Sequence, residues 1–143
     1  MQQLYADAAL RARDGWSQAT GTVIGQLKNA GPGAQITVRI VESGGLGTVG
    51  RTTMETHGDF ITRATILLQR HAQDEGRPHS AVGQVTNQLT HEIGHALGIV
   101  MHSPDRGDLM HPSGNFSPES GNDPASSFIT AADRNALLHA YCH

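Results

Sequence analysis

Residues 80–98 read SAVGQVTNQLTHEIGHALG, and the spacing inside this stretch sets the architecture around it. Val82, Val85, Leu89, Ile93, Ala96 and Leu97 recur at steps of three and four, the apolar stripe of a helix over 80–97. Ser80 suits its N-cap and Gly98 an αL stop just past its end. Away from that stripe stand His91 and His95, about 40° apart around the helix, with Gln84 and Gln88 on the same face. Two imidazoles one turn apart on a rigid helix lose little freedom on meeting one ion, and neutral imidazole suits zinc. His91-Glu92-Ile93-Gly94-His95 therefore matches the His-Glu-x-x-His zinc motif. Glu92 projects from the same end of the helix, on the flank, placed to take a proton from a zinc-bound water rather than to bind the ion. Random order of this composition yields about 0.02 such motifs per chain. The bland alternative is a surface helix carrying two solvated histidines.

A catalytic zinc normally has three protein ligands and one open position. Gly98 can take a positive φ and turn the chain back, which brings His102, four residues on, toward the ion. The whole stretch His91-Glu-Ile-Gly-His95-Ala-Leu-Gly98-Ile-Val-Met-His102-Ser103 resembles the metzincin signature, in particular that of the matrixins, the matrix-metalloproteinase family. That pattern is His-Glu-x-x-His-x-x-Gly-x-x-His, often followed by Ser. Here the third His comes one residue late, and the pattern position is Met101. A thioether is a poor zinc ligand beside imidazole, so His102 is assigned, with Val100 or Met101 bulged.

The likeness extends over roughly residues 5–141. Asp108-Leu109-Met110-His111-Pro112 falls where matrixins have their Met-turn. The resemblance implies that Met110 lies beneath the zinc as a support and that Pro112 begins the wall of the pocket for the side chain after the scissile bond. Residues 128–141 look like the last matrixin helix, and 16–20 followed by 35–40 like the first helix and the strand after it. The implied fold is α+β: a twisted, mostly parallel sheet with an antiparallel edge strand, the first helix and the active-site helix packed on it, and an irregular lower subdomain holding the Met-turn and the C-terminal helix. Residues 1–143 would form one catalytic domain, upper to about residue 98 and lower from 99. The implied function is that of a secreted, monomeric zinc metalloendopeptidase acting on protein or peptide substrates. Matrixins carry a strand before the first helix, whereas here the helix stands first, which implies either a smaller sheet or a later start. They also carry a propeptide with an inhibitory cysteine. Cys142 lies at the wrong end for that role.

Outside the histidine helix, Tyr5, Ala8, Ala9, Ala12 and Trp16 mark a helix over 4–18. A strand is expected over 21–27, ended by the turn cluster 29–33, and a clearer alternating one over 35–41, before a glycine-rich loop at 43–50. Runs 51–56 and 60–69, bridged by His57-Gly58-Asp59, read as a hairpin. Its second run is the expected rail for an extended substrate. Residues 99–128, rich in Pro and Gly, should be irregular, and a last helix should start at Thr130, paired with Asp133 in a capping box and burying Ala136, Leu137, Ala140 and Tyr141.

Composition narrows the alternatives. The 143-residue chain carries a net charge of −3, so the electrostatic footprint of a nucleic-acid binder is missing. No apolar run approaches the roughly 18 residues of a membrane span, and the opening Met1-Gln-Gln-Leu-Tyr5 lacks the layout of a signal peptide. The single cysteine, Cys142, forms no intrachain disulfide. Asp105, Asp108 and Asp123 are loop carboxylates that calcium would use if this chain follows the family, and His57 with His71 and His79 is a candidate second zinc site. Two rival readings remain: a zinc-stabilised pseudo-protease or peptide-binding module without turnover, and a zinc peptidase with an acidic third ligand, Asp105 or Glu119.

Overall fold

In a computed structural model describing residues 2–21, 27–28, 33–42, 50–70, 78–117 and 125–141, the elements follow the order α1 (Gln2–Thr20), β1 (Ile36–Val41), β2 (Gly50–His57), β3 (Phe60–Gln69), α2 (Pro78–Leu97), a short 3₁₀ turn (Ala125–Ser127) and α3 (Ala131–Tyr141). The expected strand over 21–27 and the 43–49 loop fall almost wholly outside the described residues. α2 starts at Pro78, two residues ahead of Ser80, a first-turn position where proline's missing N–H costs nothing.

The strands form one mixed sheet in the order β1-β3-β2. β1 runs parallel to β3, from Ile36 opposite Ala64 to Val41 opposite Gln69, and β2 runs antiparallel to it through a tight hairpin closed by His57 and Phe60. The class is α+β and the antiparallel strand lies at an edge. Among the described residues, however, one parallel pair meets one antiparallel pair, so the sheet is evenly mixed rather than mostly parallel. A second correction concerns the substrate rail. β3 is the central strand, paired on both edges from Ala64 to Gln69, so that stretch has no row of donors and acceptors left for a peptide. The edge strand nearest α2 is β2.

The core follows the two periodicities of the sequence. β3 turns Ala64, Ile66 and Leu68 inward at every second position, α1 contributes Tyr5, Ala8, Ala12 and Trp16, and α2 contributes Val85, Leu89, Ile93, Ala96 and Leu97. Ala9 and Val82 are only partly buried. Trp16 is fully buried, and its indole N–H donates to the Thr90 carbonyl at 2.7 Å, so the ring enters the core without an orphaned donor. The last helix begins with the expected capping box: Asp133 N–H donates to Thr130 Oγ1 at 3.2 Å, and Thr130 N–H to Asp133 Oδ2 at 2.9 Å. Of its expected core face only Leu137 is buried. Ala136 and Tyr141 are exposed because α3 rests on the turn below α2 rather than across the sheet, and the Tyr141 hydroxyl donates to the Leu97 carbonyl at 2.7 Å.

Gly94 is where α2 lets its neighbours in. A Cβ there would stand 2.7 Å from Met110 Sδ and 2.9 Å from Trp16 Cζ2, closer than packed atoms tolerate. The methionine tip can yield; the buried indole, held by its hydrogen bond, cannot. Gly94→Ala is therefore expected to lose about 1–3 kcal/mol of stability despite alanine's better helix propensity, as chemical denaturation would read.

Candidate metal centre

Two turns of α2 and the segment after it build the centre. His91 and His95 project from one face of α2, and their Nε2 atoms stand 3.2 Å apart. His102 Nε2 lies 3.2 Å from His95 Nε2, and its ring stacks on that of His91 at 5.4 Å between centroids. All three can offer a nitrogen within 4.8 Å of the others. Nitrogens this close can each lie about 2.1 Å from one ion.

The return of the chain is set by the end of α2. Gly98 N–H donates to the His95 carbonyl and Ile99 N–H to the Gly94 carbonyl, both at 3.0 Å, with Gly98 at φ +131°. These are the paired bonds of a Schellman motif, and they turn the backbone sharply at the glycine. Val100 and Met101 are then 68% and 75% exposed, so the two residues between the turn and His102 stand at the surface. The thioether at the pattern position faces away while the imidazole of His102 reaches back.

Each helical imidazole is oriented from behind. His91 Nδ1–H donates to the Leu109 carbonyl at 2.7 Å and His95 Nδ1–H to the Ile99 carbonyl at 2.5 Å, which leaves Nε2 as the nitrogen each ring offers toward a metal. Burial pushes the His91 imidazole down to about 4, and desolvation lowers that of His102 as well, with the neighbouring His95 adding to each shift. Both shifts favour the neutral, metal-binding form of these two rings. Ring nitrogens gathered this closely are poor partners for one another, and a cation at their focus satisfies them together. The donor set thus fits a metal ion of the kind imidazole prefers.

Below the histidines lies the turn at Leu109 and Met110. Met110 is 2% exposed, with its sulfur over the backbone of Gly94, a support under α2 and not a ligand. The turn is clamped by the buried Asp133 carboxylate, which accepts from Leu109 N–H at 2.9 Å and Met110 N–H at 3.0 Å. Asp108 accepts from the hydroxyls of Ser103 at 2.6 Å and Thr130 at 2.7 Å, bonds that hold its carboxyl below the usual range. These ties connect the start of α3 to the residue after His102 and to the carbonyl that orients His91. The sequence marks Asp133 only as a cap. Asp133→Ala would strand two buried amide donors and loosen the Leu109 carbonyl. The expected result is a loss of about 2–5 kcal/mol in denaturant unfolding and a zinc affinity weakened roughly 10- to 100-fold in competition with a chromogenic chelator.

Glu92 is 8% exposed and sits against β2, where the Thr52 hydroxyl reaches its Oε2 at 2.5 Å. A cleft of about 490 Å³ opens over the histidines and Glu92, walled by β2 through Thr52 and Met54 and on the far side by Pro112 and Gly114. Pro112 thus lines the cleft over the histidines.

The other sequence candidates either stand apart from the histidines or lie outside the described residues. Among the described residues no further group of three His, Cys, Asp or Glu side chains comes within metal-binding reach. Asp108 is engaged by two hydroxyls and Asp105 Oδ1 accepts from Gly107 N–H at 2.8 Å. His57 is exposed at the hairpin, whereas His71, Glu119, Asp123, Cys142 and the side chain of His79 lie outside the described residues. No helix is long and apolar enough to cross a membrane. A scan against protein-family models finds no match for this chain, and neither do searches of curated proteins and of solved structures.

Proposed function

We propose that this chain is a zinc metalloendopeptidase of the metzincin kind, acting on extended protein segments, as the matrixin-like signature implies. The observation that carries the reading is the convergence of His91, His95 and His102 beside a nearly buried carboxylate at the base of an open cleft. A zinc ion held by the three Nε2 atoms would supply a Lewis acid and an acidified water. His91 and His95 contribute donors of fixed orientation, because their Nδ1 protons are committed to backbone carbonyls. Glu92 takes a proton from the attacking water and hands it to the leaving amide nitrogen, a general base that becomes a general acid. β2, the edge of the sheet beside the cleft, offers its outer backbone to an extended peptide by strand addition. Pro112 and Gly114 face it across the cleft and border the pocket for a substrate side chain.

The deciding experiment pairs zinc quantification with incubation on casein and gelatin, with and without a chelator. One zinc per chain is expected, with cleavage that the chelator abolishes and added zinc restores. Stoichiometric zinc with no cleavage of either substrate would replace this reading with that of a binding module.

A further inference from the structure

The carboxylate of Glu92 is not held by its own helix. It lies in a slot on β2, between two residues that share the inward face of that strand, Gly50 and Thr52. At Gly50 the approach is so close that a Cβ would stand 2.8 Å from Glu92 Oε1 and 3.1 Å and 3.2 Å from its Cγ and Cδ. At Thr52 the hydroxyl lies 2.5 Å from Glu92 Oε2 and 3.1 Å from the Glu92 backbone carbonyl. A hydroxyl has one proton to give, and the shorter contact to the charged acceptor takes it. Oε2 is therefore pinned, while Oε1 lies beside the bare backbone of Gly50, which lines the cleft with Glu92.

We propose that Thr52 is the positioning residue of the catalytic base: its hydroxyl fixes the rotamer and carboxylate plane of Glu92, leaving Oε1 as the oxygen that exchanges protons in the cleft. This rests on the peptidase reading for its catalytic consequence, but the positioning itself does not. A long glutamate side chain left unrestrained samples several rotamers, and a base misplaced by an ångström loses much of its effect. The two contacts on β2 remove that freedom at the place where a substrate strand would add. The signal is invisible in the sequence, where Thr52 is one member of an alternating run.

Thr52→Val keeps shape and branching and removes only the hydroxyl; Thr52→Ser restores it. With protein labelled at the glutamate side-chain carboxyl carbon, five signals are expected from the five glutamates, and the one lost in Glu92→Gln belongs to Glu92. In zinc-free and zinc-loaded protein alike, that signal should move in Thr52→Val and stay near its wild-type position in Thr52→Ser. On fluorescent casein, Thr52→Val should lower kcat roughly 10- to 100-fold with KM and zinc content unchanged, and Thr52→Ser should recover most of it. An unmoved Glu92 signal in Thr52→Val overturns the proposal, as does an unchanged kcat. Should wild-type protein leave casein intact while the signal moves as expected, the positioning by Thr52 stands and the peptidase reading falls.

Discussion

Glu92→Ala is expected to bind zinc as the wild type does and to cleave casein about 10²–10⁴ times more slowly. Zinc content should survive because the three donors and their partners are elsewhere: His91 leans on the Leu109 carbonyl, His95 on that of Ile99, and His102 is returned by the turn at Gly98. The fold should survive as well. The side chain is removed from a slot at the edge of the core, and the Thr52 hydroxyl retains an acceptor in the residue 92 carbonyl at 3.1 Å. What disappears is the carboxylate that lines the cleft beside the histidines, and with it, on the peptidase reading, the transfer of a proton from water to the departing amine. Zinc quantification alongside initial rates on casein separates the two effects. Rates within twofold of wild type would remove Glu92 from the chemistry.

His102→Ala should show the reverse order of damage, with the metal affected first. The third imidazole stands 3.2 Å from His95 Nε2 and is part of the only three-residue cluster of potential ligands among the described residues. Asp105, the acidic alternative nearby, spends its carboxylate on the Gly107 amide. Losing a direct ligand must cost more than losing an outer partner, so affinity should fall by well over the roughly 10- to 100-fold typical of the latter. Folding should be little changed, since His102 is exposed and takes no part in the core. Competition against a chromogenic chelator gives the affinity, and thermal unfolding without metal gives the stability. Zinc bound with undiminished affinity would remove His102 from the ligand set.

The periodic elements were legible in the sequence because each depends on neighbours three, four or two residues away. The stripe on α2, the Trp16 face of α1, the 36–41 strand, the hairpin around Gly58 and the Thr130–Asp133 box are all local patterns, and all stand in the structure. The local spacing from Gly98 to His102 likewise pointed to the imidazole that stands beside His91 and His95. Strand order was not legible: nothing in the composition of β3 sets it apart from β1 as the central strand, and the more polar β2 takes the edge over the cleft. Nor were Thr52 against Glu92, 40 residues apart, or Asp133 against the Leu109 amide, 24 apart. Such contacts join one ordinary polar residue to another across a long loop, and neither partner carries a mark of it in its own surroundings. The burial of Tyr141 and Ala136 failed for a related reason: helical period fixes which residues share a face, and only the tertiary packing decides whether that face is covered.

All three imidazoles come from a single run of twelve residues, His91 to His102, with the reversal at Gly98 inside it. The chain entropy of gathering them grows only with the logarithm of so short a loop, so most of that cost is met once α2 and its terminal turn exist. Capture of the ion can accordingly come early in folding, ahead of the long-range contacts. Proton transfer belongs to the opposite regime, because the slot for Glu92 exists only after β2 has docked on α2. On the proposed peptidase reading, the order of maturation would follow: a metal-loaded but inert species first, and catalytic competence as the last property acquired.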